Sequence, residues 1–400
     1  MATRPEQVAV QAAPPTKPPI WNDPVWRALF FQALVLLGVI AFGAFLVNNT
    51  LHNLERQGIA SGFSFLDRTA GFSIGEHLIS YNEEDTYGRV FFVGLLNTIW
   101  VSFWGILLAT TLGFIIGIAR LSTNWLIAKL AMVYIEVLRN IPLLLQIFFW
   151  YFAVLRPLPG PRDSIAVGES FFLNNRGLSY PKAIYGEAFI WVLIALIVGI
   201  VATVLVKRWA HKRQDETGQQ FPMLWAGIGL VVGLPLLAFF ATGSPLHFEY
   251  PELKGFNFKG GSVLSPEFVS LLLALSAYTA AFIGEIVRAG IMAVSHGQTE
   301  ASLALGLKRG QTLRLVIVPQ ALRVIIPPLT SQYLNLTKNS SLAAAIAYPD
   351  LVLVFAGTAL MQTGQAVEII AMTMGVYLTL SLGISALMNW YNKKMALVER

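Results

Sequence analysis

Glu285 and Arg288 stand three positions apart in an otherwise apolar run, and Glu136 and Arg139 repeat that spacing just before Ile141-Pro142. Residues at i and i+3 share a helix face, so either pair could close an ion pair. An ionised side chain near a bilayer centre costs about 2.5–3.5 kcal/mol, so such residues are paired, snorkel at a span end, or serve a function. The bland reading is interfacial charge with its own partner; the functional one is that these pairs hold the inner ends of moving helices together. Lys338-Asn339-Ser340-Ser341 precede the small-residue run LAAAIA. A charge and several donors where a helix restarts could receive a carboxylate. Asn339 or Ser340 could also N-cap a short interfacial helix there, and the two roles are compatible. Residues 300–310, EASLALGLKRG, are small, polar and hinged by Gly306, with Pro319-Gln320 beyond them.

Several chemistries are excluded by what the chain does not contain. It has no cysteine, which removes disulfides, thiolate metal sites and cysteine nucleophiles. Its five histidines (His52, His77, His211, His247, His296) are scattered, with no HExxH or other ligand spacing, so no metal site is expected. No GxxxxGK[ST] segment occurs, hence no P-loop of its own for ATP. No set of nucleophile, base and orienting group recurs in adjacent apolar segments, so no catalytic residue is assigned and the chain is not read as an enzyme.

The elements that must position these groups follow from composition. Of 400 residues 55% are hydrophobic and 12% charged, against about 25% charged in a soluble domain. Apolar runs of 18 or more residues are long enough to cross the hydrocarbon layer. The expectation is an all-α polytopic membrane protein with about eight spans. Residues 1–26, with Pro14-Pro15 and Pro18-Pro19, read as a flexible tail, and 27–47 as the first span. Residues 48–89 form a long, net acidic loop. Further spans are placed at Val90–Ala119, within Leu130–Leu155, at Phe189–Val206, Leu224–Ala241, Phe268–Ile291 and Leu313–Leu334, and finally at Val367–Trp390, before a tail at 393–400. Lys207, Arg208, Lys212 and Arg213, then Lys308, Arg309 and Arg314, then Lys393-Lys394 fall on one side of this alternation. The positive-inside rule makes that side cytoplasmic, together with both termini, and explains the net charge of +6 without nucleic acid.

Prolines bear on the third and seventh spans. Pro142 is suited to the first turn of a restarted helix, where no amide donor is needed. Pro319, Pro327 and Pro328 crowd the seventh span, which is expected to be broken or sheltered by protein. Broken helices of this kind are typical of transporters. Gly113 and Gly117 form a GxxxG pair, a common pattern for close helix packing.

Residues 295–314 lie between the sixth and seventh spans. Glu300 to Ala304 favour helix, Gly306 permits a tight turn, and small side chains let another surface approach. This describes a docking helix in the membrane plane. Glu300-Ala301-Ser302, Gly306, Val316, Val318 and Pro319 resemble the EAA pattern of binding-protein-dependent ABC importer permeases, with Ser302 in place of the second alanine, Val316 of isoleucine and Val318 of leucine. Glu285-Ile286-Val287-Arg288, His296-Gly297-Gln298, Pro319-Gln320-Ala321-Leu322-Arg323, Lys338-Asn339-Ser340-Ser341-Leu342 and Arg139-Asn140-Ile141-Pro142 resemble the polar amino acid branch of that family. The resemblance covers about 90–392, with about 156–267 looking like an insertion. Eight spans plus this insertion are similar to the longer permease of general L-amino acid importers, with the glutamate/glutamine/aspartate/asparagine importers as the nearest alternative.

The resemblance implies an ABC type-1 transmembrane domain in a bacterial inner membrane and a coupling helix carrying Glu300, Ala301, Ser302, Gly306 and Pro319. It also implies a dimeric cytoplasmic ATPase that binds the ATP, a second and homologous permease (a heterodimer by analogy), and a periplasmic amino-acid-binding protein. Lys338, Asn339, Ser340 and Ser341 are assigned to the substrate path. An ion-coupled secondary transporter is the alternative of another class; it would show internal repeats with paired broken helices, and none is evident between the halves.

Overall fold

The computed structural model describes residues 21, 23–56 and 61–395; most of the expected tail at 1–26, and residues 396–400, lie outside them. Apolar runs fold as helices because a lipid-exposed backbone must satisfy its hydrogen bonds internally. The order is α1 (Pro24–Arg56), α2 (Tyr87–Ala119), α3 (Trp125–Asn140), α4 (Leu143–Phe148, continued by a π-helical turn to Leu155) and α5 (Phe189–Thr217). α6 (Met223–Ile228) and α7 (Leu234–Ala241) are joined by another π-turn, and α8 (Pro266–Met292) and α9 (His296–Ala304) follow. α10 (Arg309–Thr312), α11 (Val318–Asn339), α12 (Leu360–Thr363) and α13 (Ala366–Met395) complete the chain. Lys393 and Lys394 thus extend the last helix instead of starting a tail.

Among the described residues, seven helical segments are long and apolar enough to cross a membrane, and α3 with α4 makes an eighth, bent by 108°. Side chains place the far end of the bent pair. The Tyr151 hydroxyl donates to Glu267 Oε1 (2.7 Å) in the first turn of α8. Ser265, one position before that helix, donates to Glu76 in the loop preceding α2. The far end of the pair therefore lies beside the start of α8, next to the loop that precedes α2.

α8 is the central helix, packed against α2, α3, α4 and α11. Gly113 and Gly117 let α2 approach it: a Cβ at Gly113 would lie 2.5 Å from Ile283 Cγ2, and one at Gly117 2.6 Å from the Gly284 carbonyl oxygen. The GxxxG spacing works here between two helices of one chain. Around the seam, Val101, Ala109, Leu271, Leu275, Ile283 and Ile325 are buried.

The proline-rich span departs from expectation. It is continuous, running from Arg309 to Ile346. Pro319 lies inside this continuous stretch, directly after a π-turn, Leu313–Ile317, which is where the helix is irregular. Pro327 and Pro328 lie inside the helix and are themselves exposed, while Ile325, Ile326 and Leu329 beside them are buried.

The segments around the inserted hairpin are not irregular loops. β1 (Ile165–Val167), β2 (Phe171–Asn174), β3 (Gly177–Tyr180) and β8 (Ser262–Leu264) form an antiparallel sheet in the order β1-β2-β3-β8. β4 (Lys182–Tyr185) pairs with β5 (Leu246–Glu249), and β6 (Glu252–Lys254) with β7 (Asn257–Lys259). The mostly helical fold thus carries a small strand module, with Phe172 stacked on Phe258 at 4.6 Å.

Candidate functional site

The segment 295–314 folds as the exposed elbow between α8 and α11. α9 begins after Ser295, whose side chain makes no capping bond. Its first turn is tied by His296 Nδ1 and Glu300 Oε1 (3.0 Å), both strongly exposed. Ser302 is only 4% exposed; its hydroxyl donates to the Thr299 carbonyl (2.8 Å) and lies 3.0 Å from Thr312 Oγ1 on α10. Gly306 terminates the helix at φ +80°, with nothing within 4 Å of a would-be Cβ. The Leu307 amide donates back to the Ser302 carbonyl (3.1 Å). Gln320 Nε2 on α11 reaches Gln298 Oε1 (3.2 Å), so α9 is held from both flanking elements. What remains on its surface is Glu300, Ala301, Leu303, Ala304 and, at 83% exposure, Leu305. The short helix is thus fixed to α10 and α11 and presents Ala301, Leu303, Ala304 and Leu305, together with Glu300, to the exterior.

The two charge pairs come out differently. Arg288 grips Glu285 through Nε and Nη2, at 2.5 to 3.1 Å, on the last third of α8. Glu136 and Arg139 do not pair: among the described residues no ion pair joins them, and the Arg139 guanidinium lies over the Phe282 ring, 5.2 Å from its centroid. An arginine offered an aromatic face on a neighbouring helix has a better-desolvated partner than an exposed carboxylate one turn back.

Lys338 to Ser341 correct another expectation. No new α-helix begins there. Lys338 and Asn339 form the last turn of α11, and a 3-10 segment follows from Ser340 to Ile346. The hydroxyls of Ser340 and Ser341 donate back to the carbonyls of Thr337 (2.7 Å) and Lys338 (2.8 Å), and Asn339 makes no side-chain cap. Lys338 is exposed while Ser340 is fully buried, so the four residues do not share one surface.

Sequence reasoning missed a polar cluster at the opposite end of α8. The loop preceding α2 folds over the helix ends, burying Phe65 against Tyr87 and Phe355. Buried Asn97 donates to the carbonyls of Glu76 (2.8 Å) and Pro349 (2.9 Å). Thr98 Oγ1 accepts the Leu351 amide (3.0 Å), and fully buried Asp350 accepts the Leu353 amide (2.9 Å). Glu76, Glu267, Ser265, Pro349 and Leu353 line a cavity of about 390 Å³. Burial pushes the Glu76 carboxyl above its ordinary value; the Ser265 hydroxyl opposes this and the Glu267 charge adds to it. Burial and the nearby acidic side chains of Asp85 and Glu83 push the Tyr81 phenol up to about 12. The adjacent Asn97-Thr98 in an apolar span was the available sequence signal. A second cavity, about 630 Å³ and largely apolar, opens at the bend between α3 and α4 beside Tyr134, Gln146, Phe149 and Trp150.

Long apolar helices around a central α8, with the short exposed α9 at one end of it and a polar cluster at the other, describe a multi-pass membrane protein. Residues 216–397 match the family described as binding-protein-dependent transport system inner membrane component. Over 378 residues the chain is 58% identical to the putative amino-acid ABC transporter permease protein YhdX of Escherichia coli, covering 94% of this chain and 96% of that one. It is 57% identical to the general L-amino acid transport system permease protein AapQ of Rhizobium johnstonii, covering 94% of each. Against the glutamate/glutamine/aspartate/asparagine transport system permease protein BztB of Rhodobacter capsulatus identity is 43% over 409 residues, covering 94% of this chain and 96% of that one. The chain belongs to the binding-protein-dependent inner membrane components, the permease subunits of ABC transporters.

Proposed function

We propose that this chain is a translocation subunit of an ATP-driven importer of L-amino acids, of the general rather than the acidic-amide type. The 57% identity to a general L-amino acid permease, against 43% to a glutamate/glutamine/aspartate/asparagine permease, supports that choice. The observation that carries the coupling is α9: Glu300, Ala301 and Leu305 stand exposed on a short helix that Ser302, Gly306 and Gln320 fix in place. An ATPase subunit covers this helix and binds the ATP; this chain binds no cofactor. One coupling helix serves one ATPase, so a pair of ATPases requires a second permease, which we assign to a homologous partner in a heterodimer. A periplasmic binding protein delivers the amino acid at the Glu76 side, and both termini are cytoplasmic, consistent with eight crossings and basic residues at the inner ends. Exposed Lys338 is retained as the candidate contact on the substrate path, with Ser340 as its buried support.

The test is a mild-detergent pull-down of the chain from its native membrane, with partners identified by mass spectrometry. Wild type is expected to bring a Walker-bearing ATPase and one further permease, and Gly306→Asp to lose the ATPase. A chain that emerges alone in both cases refutes the ATP-coupled reading. Lys338→Ala is expected to impair uptake while the complex still assembles; loss of assembly makes Lys338 structural.

A further inference from the structure

The inserted hairpin, α5 returning through α6 and α7, packs mainly on itself. Within the 18-residue apolar window of α5 only 11% is buried, and none of the corresponding window of α6–α7 is. Its two sides differ in kind. Gly199 meets the Leu230 carbonyl so closely that a Cβ would collide, and Ala210 is 6% exposed; eleven positions apart, they mark the side facing the returning segment. On the opposite side, Leu193, Ile197, Ile200 and Val204 recur at three- and four-residue spacing and are 44–61% exposed. That strip leads directly into Lys207, Arg208, His211 and Lys212, which continue the same side and are all exposed.

Lengths fix the level of this basic group. From Phe189 to Val206 a helix rises about 27 Å, nearly the hydrocarbon thickness of about 30 Å. Lys207 to Lys212 then fall at the phosphate level. Trp209 stands on the flank, edge-on to Phe221 at 5.4 Å, in the position of an interfacial anchor. Arg213 is committed elsewhere: it lies 5.4 Å from the Trp209 ring centroid and donates to Gln219. Lys212 has only a loose, exposed contact with Glu216 at 3.8 Å. Asp215 and Glu216 lie about a turn further toward water.

We propose that this side of α5 binds an anionic phospholipid, its phosphate held by Lys207, Arg208 and Lys212 and one acyl chain laid along Leu193 to Val204. A basic group above an exposed apolar strip of bilayer length matches both ends of such a molecule. A partner protein helix would have to supply acidic groups at that same level. The net positive charge selects a phosphatidylglycerol-like headgroup over a zwitterionic one.

The test is native mass spectrometry on the full chain with its copurifying subunits, titrated with phosphatidylglycerol or phosphatidylcholine of identical chains. Wild type is expected to retain phosphatidylglycerol more tightly. The Lys207→Gln/Arg208→Gln/Lys212→Gln variant is expected to lose that preference by about tenfold, with phosphatidylcholine binding unchanged. Lys207→Arg/Lys212→Arg should match wild type. Raised salt should weaken the phosphatidylglycerol adduct of the wild type alone, a reading that needs no variant to fold. Equal retention of both lipids by wild type, unchanged retention in the glutamine variant, or loss of a protein subunit in place of lipid each overturns the site.

Discussion

The hydroxyls of Ser302 and Thr312 meet at 3.0 Å between α9 and α10, with both side chains almost wholly buried. The bond joins α9 to the turn that leads into α11.

A double-mutant cycle measures that bond. Ser302→Ala and Thr312→Val are each expected to lower the thermal midpoint slightly, with a coupling of about 1 kcal/mol between them. Uptake by Ser302→Ala should stay near wild type, because alanine suits the position. Strict additivity in the melting temperatures would show that the hydroxyls do not cooperate.

Gly306 is required for its conformation and not for space. At φ +80° with an open surround, a side chain pays about 1–2 kcal/mol in strain. ATP-driven uptake in vesicles should fall in the order glycine, asparagine, alanine, valine, asparagine being the residue best suited to left-handed backbone. An order following side-chain volume instead, with asparagine worse than alanine, would mean that the partner surface and not the turn is limiting.

Gly113 is required for space. Gly113→Ala drives a methyl into Ile283 and toward the Ala280 carbonyl oxygen, at 3.1 Å, and should destabilise the α2–α8 seam by about 1–3 kcal/mol. Adding Ile283→Ala should restore part of the loss in detergent melting experiments. A double variant no better than the single one would place the clash on backbone alone.

Glu76 gives the molecule a pH dependence. Its carboxyl titrates above the ordinary 4.5, because of burial first, with Ser265 opposing and Glu267 adding. The folded chain therefore binds this proton more tightly than the unfolded chain, and the associated stability is fully present below pH 4.5. It is lost as pH rises through the raised folded value. Glu76→Gln keeps an acceptor for Ser265 and should flatten the fall in thermal midpoint above pH 4.5. An unchanged profile would assign the dependence to other groups.

The spans, the break near Pro142, the Gly306 turn and the Gly113–Gly117 seam were legible because each rests on local chemistry: apolar length, a missing donor, a left-handed φ, a missing side chain. The helix restart expected at Lys338 is instead the end of α11, because one feature fits two ends. A lysine with neighbouring serines suits a helix C-terminus, where its charge complements the dipole, as well as it suits a donor site. Arg139 found Phe282 on another helix, which spacing cannot reveal. The strands were hidden by their brevity and by pairings such as Tyr180 with Ser262, made across the whole inserted hairpin. In the sequence Glu76 is one acid among several in the polar loop at 48–89, and only the loop's fold brings it to Ser265.

α8 begins one residue after Ser265, which holds Glu76, and ends three residues before α9 begins. At 27 residues it is about 40 Å of stiff rod, flanked along its length by α2 and α11. A displacement of α9 must either bend this rod or slide it, and the close seam with α2 resists bending. Sliding moves Ser265 relative to Glu76. Mechanically, the polar cluster at one end and α9 at the other are the two handles of a single shaft.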